Sequence, residues 1–214
     1  MHSGDWPLML QRAMEGLATA KQCGEKIYQS IALGFIAWAH NLLGNHALAI
    51  EHYQSMRDIT QEMGGHLLYG LRFAAAHVEM LLNVGRYDDA IACAKEVVTT
   101  SVVEDSYNSW GLAERAWGMT LHRTDPSLSA EVDRHMEASI QAFSSGRLVL
   151  DLARTQLYWA RIFHERGQAA KAQQLMDQAI LQFRISGCSY ALTMAKAVER
   201  SWQTESTTQG MGTP

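Results

Sequence analysis

The side chains best able to ligate a metal or act on a substrate are nine histidines and three cysteines in a chain of 214 residues. Their spacing favours neither role. Zinc sites draw on closely spaced cysteine or histidine pairs, whereas Cys23, Cys93 and Cys188 lie far apart, with no C-x-x-C and no H-E-x-x-H in the sequence. His46 and His52 are six residues apart, on different faces of a helix. A serine nucleophile on a strand-to-helix elbow needs G-x-S-x-G, which the sequence lacks. The paired carboxylates Asp88-Asp89 and Glu104-Asp105 fall at expected helix ends, where acids interact with the helix dipole or face water. The expectation is a non-enzyme with three reduced thiols and no catalytic residue, cofactor or metal.

Two further properties narrow the ligand classes. The net charge of −4 lacks the basic footprint of a general phosphate-binding surface, so no direct nucleic-acid contact is expected. No apolar run approaches the roughly 20 residues that span a bilayer, and the N-terminus has no signal-peptide pattern. No membrane contact and a cytoplasmic location are the expectations.

The elements that must position any site follow a period of 41. Gly44 and Gly85 are 41 apart, Gly167 follows after 82, and Pro126 stands at the skipped position. A second series runs Gly64, Asp105, Gly146, Gly187 in the same steps. Two interleaved sets of turn residues at one period predict an array of two-helix units. Apolar residues agree: Ile27, Ile31, Phe35, Trp38 and Leu42 recur at helical spacing before Gly44. A second helix then carries Ala49, Tyr53, Met56 and Ile59 up to Gly64-Gly65. We call the first helix of each pair A and the second B.

Four units are expected at 25–64, 65–105, 106–146 and 147–187, with flanking helices at 7–22 and 189–202 and a disordered tail at 203–214. The whole of 1–202 reads as one helical array. The next A helix is expected to begin near His66. In the third unit Asp125-Pro126 replaces the glycine turn, a sound helix start because the carboxylate caps orphan N–H groups and proline fits the first helical position. The first flanking helix carries Leu8, Met9, Met14 and Leu17 without an outer partner. It is expected to meet an upstream domain of the natural chain or of a partner. Ala37, Val78, Met119 and Ala160 form a column where helices should meet closely, and Phe35, Ala76, Trp117 and Tyr158 a second packing column.

The segments Leu43-Gly44-Asn45-His46-Ala47-Leu48-Ala49, Val84-Gly85-Arg86-Tyr87-Asp88-Asp89-Ala90 and Arg166-Gly167-Gln168-Ala169-Ala170-Lys171-Ala172 resemble the tetratricopeptide repeat. In that family a glycine ends helix A and a small residue opens the packing face of helix B. Here Ala49, Ala90 and Ala172 hold the small position, but Glu131 stands there in unit three. The long period resembles the C-terminal helical repeats of bacterial ATP-dependent transcriptional activators of the maltose-regulator type and of ATPase-linked nucleotide cyclases. The resemblance implies an all-α fold, a right-handed α-solenoid of antiparallel helix pairs, whose A helices line a concave groove.

Three columns on that implied inner face are chemically mixed: Trp38, Glu79, Thr120, Arg161; Asn41, Leu82, Arg123, His164; and Ile31, Arg72, Ala113, Arg154. Mixed columns suit a binding groove better than a core. Trp38, Asn41, Arg72, Glu79, Arg123, Arg154, Arg161 and His164 are therefore the expected binding residues, with a protein or peptide as partner. The implied role is the regulatory or sensor region of a larger signalling or transcription-regulating protein. The alternative is a sensor that encloses a small molecule or signalling peptide.

Overall fold

The computed structural model describes residues 5–104 and 106–210, with side chains described as far as Thr204. Asp105, one of the expected turn residues, and 211–214 lie outside the described residues. The described residues form ten α-helices and one 3-10 turn, and no strand. They group into two compact units that divide between Gly146 and Arg147, where the third and fourth expected repeats meet.

The first unit holds α1 (Trp6–Gln22), α2 (Lys26–Leu42), α3 (His46–Glu62), α4 (Gly70–Asn83), α5 (Tyr87–Glu104), α6 (Tyr107–Thr124), a 3-10 turn (Pro126–Leu128) and α7 (Ser129–Ser145). Consecutive helices pack on one another, and the A helices also meet directly, α2 on α4 and α4 on α6. The core is apolar, with Phe73, Phe143, Ile36, Met80, Leu81 and Met136 almost wholly buried. Met9 and Leu17 of α1 pack against the α2–α4 core, while Leu8 and Met14 are exposed.

The turn glycines act as their spacing predicts. Gly44 and Gly85 take positive φ, 82° and 74°. Each ends its helix with the paired bonds of a Schellman motif, as in Gly44 N–H to Asn41 O and Asn45 N–H to His40 O. Ala49 and Ala90 are fully buried.

Two places depart from the repeat. Helix α4 starts at Gly70, later than the His66 start expected, and has 14 residues where α2 has 17. Gly64, Gly65 and Tyr69 all have positive φ, which keeps 63–69 out of the helix. In the third repeat Asp125 caps the 3-10 turn, accepting from Ser127 N–H at 3.0 Å, and α7 begins only at Ser129. The inserted turn moves the buried register one residue on: Val132 is buried and Glu131 exposed. The same offset carries to the end of α7, where Arg147 rather than Gly146 takes positive φ, 54°.

The second unit holds α8 (Val149–Glu165), α9 (Ala169–Ile185) and α10 (Ser189–Gly210), packed in that order. Gly167 closes α8 at φ 71°, and Ala172 is buried. The last helix continues to Gly210, past the Trp202 boundary and into the stretch expected to be disordered. No proline or glycine interrupts 189–209, so nothing in the sequence breaks the helix there. Ala160 of α8 is fully buried, as are Ala37 and Val78 of the same column, while Met119 is half-buried. Ala160→Trp should overpack its site and lower stability by roughly 1–3 kcal/mol. An unchanged melting temperature would show that this column has been placed on the wrong face.

Candidate functional site

The expected groove residues divide between the two units. In the first, the A-helix seam brings two of them together. Trp38 on α2 is buried, and the Arg72 guanidinium from α4 lies 5.4 Å from its ring centroid. Arg72 Nη2 also donates to Asn108 Oδ1 of α6 at 2.6 Å. One arginine thus links three successive A helices through an aromatic face and an amide.

Asn41, one turn after Trp38, is buried as well. Its Oδ1 accepts from Asn83 Nδ2 at 3.2 Å and lies 3.0 Å from His46 Nδ1. Its Nδ2 is buried without a hydrogen-bond partner among the described residues. Glu79 and Thr120 are buried, and Arg123 is exposed in the last turn of α6. Much of the chemically mixed column set therefore lies in seams between A helices. The direct α2–α4 and α4–α6 packing is the physical reason.

In the second unit Arg154 is buried with Asp151, their charged atoms 3.9 Å apart one turn along α8. Arg161 is half-buried. The His164 ring stacks on Trp202 of α10, with centroids 4.3 Å apart and planes 10° from parallel. Arg154 and His164 are thus engaged within their own unit.

Two polar clusters of the first unit gave no signal in residue spacing. In one, His77 of α4 stacks on Tyr53 of α3 at 3.8 Å, and its Nδ1 lies 3.7 Å from Cys93 Sγ of α5. The thiol also donates to Ala74 O. Burial, with Arg57 and Arg86 nearby, lowers His77 to about 4. Burial, with Glu96 nearby, pushes Cys93 up to about 12. A nucleophilic cysteine requires the opposite, a stabilised thiolate beside a cation. This pair is a neutral thiol against a neutral imidazole, suited to packing three helices together.

In the other cluster His135 Nδ1 of α7 lies 2.6 Å from Glu114 Oε2 of α6. Arg134 Nη2 lies 3.0 Å from His135 Nε2. A guanidinium can only donate, so Nε2 accepts and the imidazole proton sits on Nδ1, toward the carboxylate. Burial raises the Glu114 carboxyl. Hydrogen bonds from His135 and Trp110, with the cationic charge nearby, outweigh it and hold Glu114 below the ordinary carboxylate range. The pair resembles the orienting half of a triad, but Arg134 occupies the nitrogen that would act as base. No hydroxyl or thiol hydrogen-bonds to His135 among the described residues. These partners are 21 residues apart on different helices, a separation that no local motif marks.

No group of three His, Cys, Asp or Glu side chains among the described residues is placed to hold a metal ion. Among the same residues, no helix is long and apolar enough to cross a membrane. No family model matches the sequence, no curated protein is similar to it, and no solved structure matches its fold.

Proposed function

We propose that the chain is a non-catalytic helical-repeat scaffold of the tetratricopeptide type, a right-handed solenoid of antiparallel helix pairs that binds a protein or peptide. The surface assigned to the partner is the side of the first unit where α2, α4 and α6 adjoin. One observation carries this reading: the A helices are joined to one another by Trp38, Arg72 and Asn108, polar and aromatic groups of the kind enriched at protein interfaces. An array held together only as a core would join them through apolar side chains alone, as Phe35 of α2 and Phe73 of α4 do elsewhere in the same seam. The repeated Schellman turns at Gly44, Gly85 and Gly167 support the repeat assignment. Within the resemblance, the scaffold would serve as the regulatory end of a larger bacterial signalling or transcription-regulating protein.

Arg72 is the natural probe. A random peptide library displayed on phage, selected on the full chain, should yield sequences carrying acidic and apolar residues. Arg72→Glu should weaken the selected peptides by about tenfold or more through loss and reversal of a charge-assisted contact. Helicity measured at 222 nm should remain that of the parent. Failure to enrich any sequence, or equal binding to parent and variant, would overturn the reading.

A further inference from the structure

The late start of α4 leaves a space that the regular repeat would fill. By the pattern of α2, which begins at Lys26, α4 is due at residue 67, and it begins at Gly70. The absent first turn opens a cleft of about 390 Å³ between α3 and α5, with α4 beneath it. At ~30 Å³ per water this space holds about a dozen waters, and it falls within the ~300–1,000 Å³ of small-ligand pockets.

The lining has a definite chemical order. Met56, Leu71 and Val97 form an apolar floor. Arg57 stands on the α3 wall, and Glu96 and Glu104 stand on the α5 wall. Arg57 and Glu96 are exposed, and neither makes an ion pair or a side-chain hydrogen bond among the described residues. Burial is the main cause that raises Tyr53 and the half-buried Cys93, and on both of them Arg57 acts to lower and Glu96 to raise. Cation and anion thus flank one depression, apolar on its floor and lined elsewhere by Thr60, Gln61 and Thr100, with no direct ion pair between them. A fatty acid or phosphate would meet carboxylates on the second wall, and a simple amine would meet a guanidinium on the first.

We propose that this cleft binds a small zwitterion with an apolar body, of the class of a free amino acid with a large aliphatic or aromatic side chain. Its carboxylate pairs with Arg57, its ammonium pairs with Glu96, and its side chain lies on Met56, Leu71 and Val97. Each charged contact is a charge-assisted hydrogen bond, the stronger kind. The site is separate from the α2–α4–α6 surface, so the failure of either proposal leaves the other standing.

The test is thermal unfolding of the full chain with each standard amino acid at about 10 mM, since a ligand of the folded state raises the melting temperature by mass action. At least one apolar amino acid should give a saturable rise of several degrees. Its N-acetyl and methyl-ester derivatives, each lacking one charge, should give none. Arg57→Met and Glu96→Gln should each weaken binding about tenfold or more, with the ligand-free melting temperature unchanged because both side chains are exposed. Thr100→Trp, which fills the cleft from an exposed position on α5, should also block the rise. The proposal is overturned if no amino acid gives a saturable shift, if the blocked derivatives bind as well as the parent compound, or if all three variants bind like the parent chain.

Discussion

Phe73→Ala should lower the unfolding free energy by about 3–5 kcal/mol, the usual cost of removing a buried phenyl ring from a packed core. Phe73 on α4 is 1% exposed and meets Phe35 of α2 edge-on, with centroids 5.1 Å apart and planes at 89°. Its ring lies against Gly34 so closely that a Cβ built there would stand 2.5 Å from Phe73 Cε2. Glycine inside a helix costs ~1 kcal/mol relative to alanine, so Gly34 is tolerated because it admits the ring. Gly34→Ala alone should therefore destabilise through overpacking by roughly 1–3 kcal/mol, less what the better helix propensity returns. In a Phe73→Leu background the same change should cost much less. Urea unfolding followed by helicity measures both legs of this cycle. A stabilising Gly34→Ala in the parent would show that α2 and α4 do not meet at this point. Gly111 and Phe143 repeat the arrangement on α6 and α7, with the built Cβ 2.6 Å from the ring.

Acidification should destabilise the first unit through His77. Burial, helped by Arg57 and Arg86, lowers this imidazole from 6.5 to about 4, with Asp89 opposing. The unfolded chain takes up a proton as the pH falls through 6.5, whereas the folded chain does not until about 4. Stability contributed by the neutral ring is therefore complete above 6.5 and is lost progressively down to about 4. The loss reaches at most about 3 kcal/mol, at 1.36 kcal/mol per pH unit of difference. His77→Phe keeps a ring on Tyr53 and has no proton to take up. The difference in unfolding free energy between parent and His77→Phe should follow this window when measured from pH 7 to 4. Parallel curves for the two proteins would show that His77 is not buried in the neutral form. Glu114 acts lower on the scale: its lowered pKa gives stability present above the ordinary carboxylate range and lost as the pH falls through the folded value.

The repeat was legible because its punctuation is chemical and local. A left-handed residue that ends a helix selects glycine whatever surrounds it, so Gly44, Gly85 and Gly167 mark their turns in the sequence itself. Small packing residues such as Ala49 and Ala90 were legible for a similar reason, since two helix backbones approach closely only over a short side chain. Three features were less so. The Pro126 turn keeps the spacing of the array but advances the buried face of α7 by one residue, and column alignment assumes a fixed register. The late start of α4 depends on Tyr69 at φ 68°, a conformation that tyrosine does not advertise. The mixed columns were expected to mark a binding face, whereas Trp38, Asn41 and Glu79 are buried because of how the A helices pack on each other. That packing depends on contacts about 40 residues apart.

The sequence by itself determined that the chain is helical, where most helices stop and which small residues lie inward, because these follow from short-range backbone sterics and a 3.6-residue period. Only the tertiary structure decided which polar groups meet. Arg72 on Trp38, His77 between Tyr53 and Cys93, Glu114 with His135 and the cleft between Arg57 and Glu96 each join different helices. Their partners are chosen by the relative rotation of packed helices, and a turn of a few residues is enough to change that rotation.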